Sequence, residues 1–165
     1  MKKIIFYAAL CLISVPAVIN AQLVAAQPAV ARSAAEEIEI LLQTGAVTYA
    51  QAARFVLEAA EVIAATSPEE AFQYAAERQW LPKKASGNDT ARLDGISLLC
   101  MRAFGIKGGM WYSITKGPHY AYRELAYQDV IQGRADPGMA VSGGRLLFMV
   151  SRLLSQQGDV ADLEE

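Results

Sequence analysis

The chain contains one histidine, His119, and two cysteines, Cys11 and Cys100. A serine or cysteine nucleophile activated by an imidazole base would have to use His119. This residue lies in the segment GPHY (117–120), at the predicted start of a helix, and we interpret it as a solvated histidine rather than a catalytic base. Cys100 lies among apolar residues of a predicted helix, which favours a buried and unreactive thiol.

The sequence offers no donor set for a metal ion or a cofactor. One histidine and two cysteines are too few for a typical zinc site. The glycine pairs at 108–109 and 143–144 lack the Gly-Lys-Ser/Thr ending of a phosphate-binding loop. Residues 136–138 (DPG) predict a turn without the acidic spacing of a calcium-binding loop. We therefore expect neither a metal nor a cofactor, and a protein that is not an enzyme.

Paired carboxylates could hydrolyse a glycosidic bond, one as general acid and the other as base or nucleophile. Most acidic residues of this chain are instead predicted at helix starts, where they interact favourably with the helix dipole, or on solvated faces. A small wall glycan hydrolase is therefore the weakest alternative function. The candidate carboxylates are Glu69, Glu70, Glu77, Asp89, Asp94, Glu124 and Asp129.

The composition predicts one small globular domain. The chain has 165 residues, of which 53% are hydrophobic and 19% charged, which is too apolar for a mostly disordered protein. Fifteen Lys and Arg residues against seventeen Asp and Glu residues give a net charge of −2. This balance argues against nucleic acid as the main partner, because phosphate binding requires an excess of positive charge.

Residues 1–21 (MKKIIFYAALCLISVPAVINA) have the pattern of a secretory signal peptide. Two lysines precede an uncharged apolar run, which Pro16 interrupts before small residues that end at Ala21. The run is too short to span a bilayer core of about 30 Å comfortably. We therefore expect export by the Sec route to the periplasm or cell surface and no membrane span in the mature chain. Cleavage is expected after Ala21, with residues 24–26 (VAA) as the second candidate.

The rest of the sequence predicts a mainly α-helical domain between a flexible leader (22–32) and a disordered acidic tail (156–165). A short β-hairpin is predicted near 105–118, because Trp, Tyr, Ile and Thr favour extended backbone and the flanking glycines permit tight turns. Amphipathic segments elsewhere form helix pairs, with Thr48 and Ser67 as predicted N-caps. The three predicted helix–loop–helix units cover about 33–65, 67–105 and 119–155.

The second and third units share a pattern of apolar positions. When residues 71–104 are aligned with 121–154 without a gap, identity is low, but Trp80 and Leu81 fall on Val130 and Ile131, and the apolar positions of the following helices coincide. One unit cannot bury its own apolar face, so three units predict a packed pseudo-threefold repeat domain. A helical bundle without repeats is the alternative.

The second unit resembles the S-layer homology repeat. Its first helix ends in a hydrophobic pair at 80–81 (WL), and after a polar loop residues 90–94 (TARLD) stand where the family has a Thr-Arg-Ala-Glu-like tetrad. Residues 130–137 of the third unit (VIQGRADP) are similar to the loop entry of the family. The first unit, with TYAQ at 48–51, and the third, with VSGGR at 141–145, depart from the tetrad.

The resemblance implies three repeats in a pseudo-threefold domain that binds anionic cell-wall polysaccharide through the tetrad arginine and loop residues. Arginine suits such a ligand because its planar guanidinium can hold a carboxylate or pyruvyl group through two hydrogen bonds. The tetrad positions carry over to Arg92 and Asp94, with Trp80 and Asp89 as weaker neighbours. The full set of residues expected to bind wall glycan or polymer is Arg92, Asp94, Trp80, Asp89, Arg134 and Asp136.

A protein-binding role is the main alternative. Trp111 and Tyr112, on the predicted hairpin, would form an exposed contact with an envelope protein, because aromatic side chains are common in binding surfaces. In this alternative the domain is an interaction or assembly subunit that has lost glycan binding.

Overall fold

The computed structural model describes residues 34–64, 67–133 and 135–161. Over these ranges the chain is mainly helical, as predicted, and its β-structure is limited to two isolated bridges. In the part of the chain that the structure describes, no helix is long and apolar enough to cross a membrane. The predicted signal peptide and leader lie outside the described residues. The helices are α1 (Ala34–Gln43), α2 (Tyr49–Ala59), α3 (Pro68–Glu77), α4 (Leu93–Ala103), α5 (Met110–Thr115), α6 (Pro118–Tyr127) and α7 (Gly143–Ala161).

Polar caps set the first residues of α2 and α3. Thr48 Oγ1 accepts a hydrogen bond from the Gln51 N–H (3.3 Å), and Gln51 Oε1 accepts one from the Thr48 N–H (3.0 Å), which completes a capping box. Ser67 Oγ accepts from the Glu70 N–H (3.2 Å), and Pro68 follows at the first helical position. The predicted caps Thr48 and Ser67 are therefore confirmed.

Four of the described helices end at a residue with left-handed backbone that is not glycine, and α2, α3 and α6 share one arrangement. Glu61, Gln79 and Asp129 follow α2, α3 and α6 with φ of 53°, 58° and 58°. In each case the N–H of the next residue donates to a carbonyl in the last helical turn, as the Trp80 N–H does to the Ala75 carbonyl (2.9 Å). These Schellman arrangements end each helix immediately before a hydrophobic pair.

The helices pack in a closed order. α3 packs against α2, α6 against α4, and α1 against α7, so the first helix of each predicted unit contacts the second helix of another. The second helices supply much of the core, where Val56, Cys100 and Val150 are 0%, 0% and 2% exposed. Because α1 and α7 are the first and last helices described, their contact closes the packing order.

Three buried residues connect the starts of α2, α4 and α7 through backbone hydrogen bonds. The Val47 N–H donates to the Val141 carbonyl (2.9 Å), the Val141 N–H to the Ala91 carbonyl (3.0 Å), and the Ala91 N–H to the Val47 carbonyl (2.8 Å). All three residues are 0% exposed. Since each residue donates once and accepts once, the three hydrogen bonds form a closed ring.

The second and third helix pairs are spaced alike along the chain. α3 and α6 begin at Pro68 and Pro118, and α4 and α7 begin at Leu93 and Gly143, so corresponding helices start 50 residues apart. The same spacing aligns the apolar positions of these two segments in the sequence.

The predicted β-hairpin near 105–118 is wrong, because α5 occupies Met110–Thr115. The hydroxyls of Ser113 and Thr115 donate to backbone carbonyls of the preceding turn (3.1 Å and 2.7 Å), which is compatible with a helix. Tyr112 lies in the core, 7% exposed. Burial of this one ring overrides the preference of the surrounding residues for extended backbone.

The predicted disordered tail (156–165) is wrong in its first part, because α7 continues to Ala161. The side-chain amides of Gln156 and Gln157 donate to carbonyl oxygens at the ends of α6 and α4 (3.1 Å and 3.2 Å). These contacts hold the last turns of α7 against the domain. Residues 162–165 lie outside the described part of the chain.

Candidate functional site

The start of α4 is docked on the loop that precedes α7. The Leu93 N–H donates to the Met139 carbonyl (3.0 Å), and the Asp94 N–H donates to the Pro137 carbonyl (2.9 Å). Amides in the first turn of a helix have no partner within that helix, so the loop satisfies two of them. We name this contact the charged junction. It consists of residues 92–94 and 136–139.

Two of the predicted ligand-binding residues form an ion pair at the charged junction. Arg92 Nη2 lies 3.3 Å from Asp94 Oδ2, and Asp94 Oδ1 accepts from the Gly95 N–H (2.8 Å). The Arg92 side chain is 57% exposed, whereas that of Asp94 is 19% exposed. Such an ion pair contributes at most about 1 kcal/mol to stability, because water screens it. The ion pair uses one guanidinium nitrogen, and more than half of the Arg92 side chain remains exposed.

Asp136 is the third predicted residue at the charged junction. Its Oδ1 accepts a hydrogen bond from the Gly138 N–H (2.7 Å). A Cβ atom at Gly138 would lie 3.1 Å from Asp136 Oδ1 and 3.4 Å from Arg92 Nη2, so the glycine leaves room for both side chains. The structure therefore brings Arg92, Asp94 and Asp136 together. Arg134 lies outside the described residues.

The start of α2 is docked in the same manner on the loop that precedes α4. The Tyr49 N–H donates to the Asp89 carbonyl (3.1 Å), and the Ala50 N–H donates to the Gly87 carbonyl (3.0 Å). We name this contact the tyrosine junction. It consists of residues 48–50 and 86–89.

Two predicted ligand-binding residues lie away from the charged junction. Asp89 Oδ2 accepts from the Ser86 N–H (2.8 Å), within the loop of the tyrosine junction. Trp80 is partly buried and meets Tyr74 edge to face, with ring centroids 6.0 Å apart and planes at 81°. In the described part of the chain, neither side chain hydrogen-bonds or stacks with Arg92.

Tyr49, which the sequence analysis did not single out, connects the two junctions. Its hydroxyl oxygen accepts from the Arg92 N–H (3.3 Å), and a Cβ atom at Gly95 would overlap the tyrosine ring and hydroxyl. Burial raises the pKa of Tyr49, and the carboxylates of Asp94 and Asp89 act in the same direction. The hydroxyl therefore remains neutral. In the sequence, the first unit departs from the tetrad at 48–51, but this departure does not indicate the contact with Arg92.

α5 has an exposed apolar face. Met110, Trp111 and Ile114 are 68%, 62% and 69% exposed, and we name these three residues the α5 apolar face. The Trp111 ring stacks on Tyr120, with centroids 6.4 Å apart and planes at 17°. Tyr112 was predicted to form an exposed contact together with Trp111, but it is buried because it lies on the opposite side of the helix.

A cavity of about 180 Å³ lies between α1 and α2. Glu37 and Arg54 form an ion pair at its wall, with Arg54 Nη2 3.0 Å and 3.1 Å from the two carboxylate oxygens. The ion pair links α1 to α2, and in the described part of the chain the buried Nε of Arg54 has no hydrogen-bond partner.

The residue types that carry nucleophilic or metal chemistry are not assembled in the described ranges. Burial raises the pKa of the Cys100 thiol to about 12, so the thiol stays protonated, and the predicted burial of Cys100 is confirmed. His119 is exposed and meets Tyr120 edge to face at 5.6 Å. Among the described residues, no group of three His, Cys, Asp or Glu side chains is placed to hold a metal ion.

Comparisons with models of protein families, with curated proteins and with solved structures find no match. Function therefore has to be inferred from the geometry of the two junctions and of the α5 apolar face.

Proposed function

We propose that this protein is an exported, non-catalytic domain of the cell envelope that binds an anionic wall glycan or polymer at the charged junction. The observation that carries the proposal is the guanidinium of Arg92, which is 57% exposed and held by Asp94 on a docked helical turn. A planar guanidinium fixed in this way can bind a carboxylate or pyruvyl group through two parallel hydrogen bonds. The predicted signal peptide supports the location.

Each residue at the charged junction has a distinct role in this proposal. Arg92 binds the anionic group with the N–H groups that Asp94 does not use. Asp94 orients the guanidinium, since its own Oδ1 is fixed by the Gly95 N–H. Asp136 accepts hydrogen bonds from sugar hydroxyls with the carboxylate oxygen that Gly138 does not bind. Arg134 adds a second positive charge to the same loop.

The proposal includes three helix–loop–helix units in a pseudo-threefold arrangement, similar to a divergent S-layer homology domain. The closed hydrogen-bond ring of Val47, Ala91 and Val141, the closed packing order and the 50-residue spacing support it. Besides the two junctions, a third helix start contacts a loop. The Gly143 N–H of α7 donates to the Thr44 carbonyl in the loop before α2 (2.9 Å). Among the residues that the structure describes at these three contacts, the arginine–aspartate ion pair that it shows is that of Arg92 and Asp94 at the charged junction.

Pelleting with purified wall sacculi tests the proposal. The exported protein is mixed with sacculi that retain their attached polymers and with sacculi stripped of them. We expect pelleting only with the polymer, and weaker pelleting as salt concentration rises. Arg92→Ala is expected to reduce binding about tenfold to one hundredfold, since it removes charge-assisted hydrogen bonds.

Arg123→Ala is the matched control, because Arg123 is also exposed, has no ion-pair partner among the described residues and lies on α6. It removes the same charge and should leave pelleting unchanged. Failure of the folded wild-type protein to pellet, or equal losses in both variants, would refute the charged junction as the binding site. Release of soluble wall fragments would identify a hydrolase instead.

A further inference from the structure

The short helix α5 is fixed on the domain by a buried side chain and by hydrogen bonds. The buried ring of Tyr112 attaches one side of the helix to the core. Glu124 Oε2 accepts from the Gly109 N–H (2.9 Å) at the start of α5, and Glu124 Oε1 accepts from the amide of Gln128 (3.1 Å). Both carboxylate oxygens of Glu124 therefore accept hydrogen bonds, and one of these bonds positions the start of α5. The opposite side of the helix faces outward.

The outward side of α5 is apolar and its polar groups are satisfied locally. The α5 apolar face consists of the three large side chains that are 62% to 69% exposed. The neighbouring hydroxyls of Ser113 and Thr115 donate to carbonyls of α5 itself and of the residues just before it. A surface of this kind loses few hydrogen bonds when it leaves water.

The sequence segment that contains α5 is positively charged although the protein as a whole is not, and the carboxylate of Glu124 contacts the start of the helix from α6. Residues 95–123 contain four Lys and Arg residues and no Asp or Glu, in a chain of net charge −2. Lys107 and Lys116 are exposed and lie just before and just after α5. Cations therefore flank the α5 apolar face at both ends. Their positive charge favours binding of a negatively charged partner.

We propose that the α5 apolar face inserts into the interfacial region of an anionic phospholipid bilayer, as a peripheral contact that does not span the membrane. Trp, Met and Ile side chains enter the boundary between headgroups and acyl chains, and binding strengthens with the apolar area buried. Lys107 and Lys116 remain at headgroup level, where each basic residue strengthens binding to an anionic surface about fivefold. The charged junction takes no part, so this inference goes beyond the wall-polymer function.

Co-sedimentation with lipid vesicles tests the proposal. The protein is expressed as the full chain, purified after export and identified by its mass. It is mixed with vesicles of phosphatidylcholine alone and with vesicles of phosphatidylcholine and phosphatidylglycerol. We expect binding to the second kind only, and its loss at high salt, because screening removes the attraction of the lysines.

Two double variants test whether vesicle binding depends on the α5 apolar face or on exposed apolar side chains in general. Met110→Ser with Ile114→Ser is expected to lower the vesicle partition constant at least about tenfold. The control is Phe148→Ser with Leu154→Ser on α7, where both side chains are also exposed, at 43% and 44%. The control should change partitioning less than about twofold. Circular dichroism melts of both variants verify that the fold is retained.

Charge reversal tests the flanking lysines in the same assay. Lys107→Glu with Lys116→Glu is expected to weaken binding to the anionic vesicles at least about twentyfold, given the contribution of each basic residue. Lys83→Glu with Lys84→Glu changes the net charge equally at two exposed positions away from α5, and it should retain most of the binding.

Tryptophan fluorescence reports insertion directly. In a Trp80→Phe background Trp111 is the single tryptophan, because the chain contains two. Its emission should shift to shorter wavelength with anionic vesicles, and brominated lipids should quench it.

Three results would overturn the proposal. They are absence of binding to anionic vesicles, binding that the Met110/Ile114 variant leaves unchanged, and a concentration-dependent dimer that this variant abolishes. The last result would show that a second copy of the chain covers the face. Arg92→Ala should leave vesicle binding intact, so failure here and failure of the wall-polymer proposal are distinguishable.

Discussion

The charged junction and the tyrosine junction have the same pattern of backbone hydrogen bonds but different side chains at the start of the helix. In both, the first two amides of a helix donate to carbonyls of a loop, at 3.0 Å and 2.9 Å in the charged junction and 3.1 Å and 3.0 Å in the tyrosine junction. The charged junction presents Arg92, Asp94 and Asp136. At the tyrosine junction the helix begins with a neutral, buried tyrosine followed by Ala50, and residues 48–50 and 86–89 include one carboxylate, Asp89, but no arginine.

This difference indicates that the scaffold and the binding chemistry are separable. The loops dock through backbone carbonyls, which every residue supplies, as Pro137 does in the charged junction. The side chains at a junction are therefore free to change. Tyr49 fills the space that Gly95 leaves open and so replaces a potential ligand group with a core contact. In our proposal the ligand therefore binds at the charged junction, because that junction has an exposed arginine and the tyrosine junction has none.

The largest expected effect concerns the contact between the start of α7 and the end of α1. A Cβ atom at Gly143 would overlap the backbone carbonyl of Leu41, so Gly143→Ala must separate α1 from α7. We expect a loss of about 3 kcal/mol or more in the free energy of unfolding, measured by urea denaturation. Gly144→Ala is the control, because its nearest neighbouring atom lies 4.0 Å away. Equal stability of the two variants would contradict the packing described.

The link between the two junctions is tested by Tyr49→Phe. This change removes the acceptor of the Arg92 N–H while keeping the ring that packs against Gly95. Leaving a part-buried amide without its partner is expected to cost about 1.5 kcal/mol in the free energy of unfolding. Urea denaturation of the variant gives the value. A cost below the error of the measurement would show that the hydroxyl does not connect the junctions.

The helix caps differ between the two junctions in a way that two alanine variants can measure. Thr48 forms a capping box, so Thr48→Ala is expected to destabilise the protein by about 1 kcal/mol. Arg92 occupies the same place before α4 without a side-chain capping bond, so Arg92→Ala should cost less than about 0.5 kcal/mol. Thermal and urea unfolding give both values. A larger cost for Arg92→Ala would assign the arginine a structural role.

The smallest effect is a gain in stability at the helix ends of the second and third units. Gln79 and Asp129 both have φ of 58°, which favours glycine. Gln79→Gly and Asp129→Gly are each expected to stabilise the fold by about 0.5 to 1 kcal/mol. Gln73→Gly, within α3, is the control and should destabilise by about 1 kcal/mol. Stabilisation at only one of the two positions would weaken the equivalence of the units.

The sequence was informative where structure depends on near neighbours. Thr48 and Ser67 were predicted as caps because their partners lie three residues away. The helix α5 and the role of Tyr49 were not predictable, because each depends on contacts with residues distant in the sequence. The contact of Tyr49 with Arg92 spans 43 residues and has no local signal. The charged junction was predicted in part. The family resemblance placed Arg92 and the loop of the third unit in one binding site, but no local pattern indicated that they are in contact.

The most direct test of the central claim is to titrate the isotopically labelled protein with solubilised wall polymer and follow its backbone amides by NMR. We predict that the largest shifts occur at the charged junction, at Leu93, Asp94, Gly138 and Met139, and that the amides of the tyrosine junction change little. Shifts of equal size at both junctions, or shifts confined to α5, would contradict the assignment of ligand binding to the charged junction.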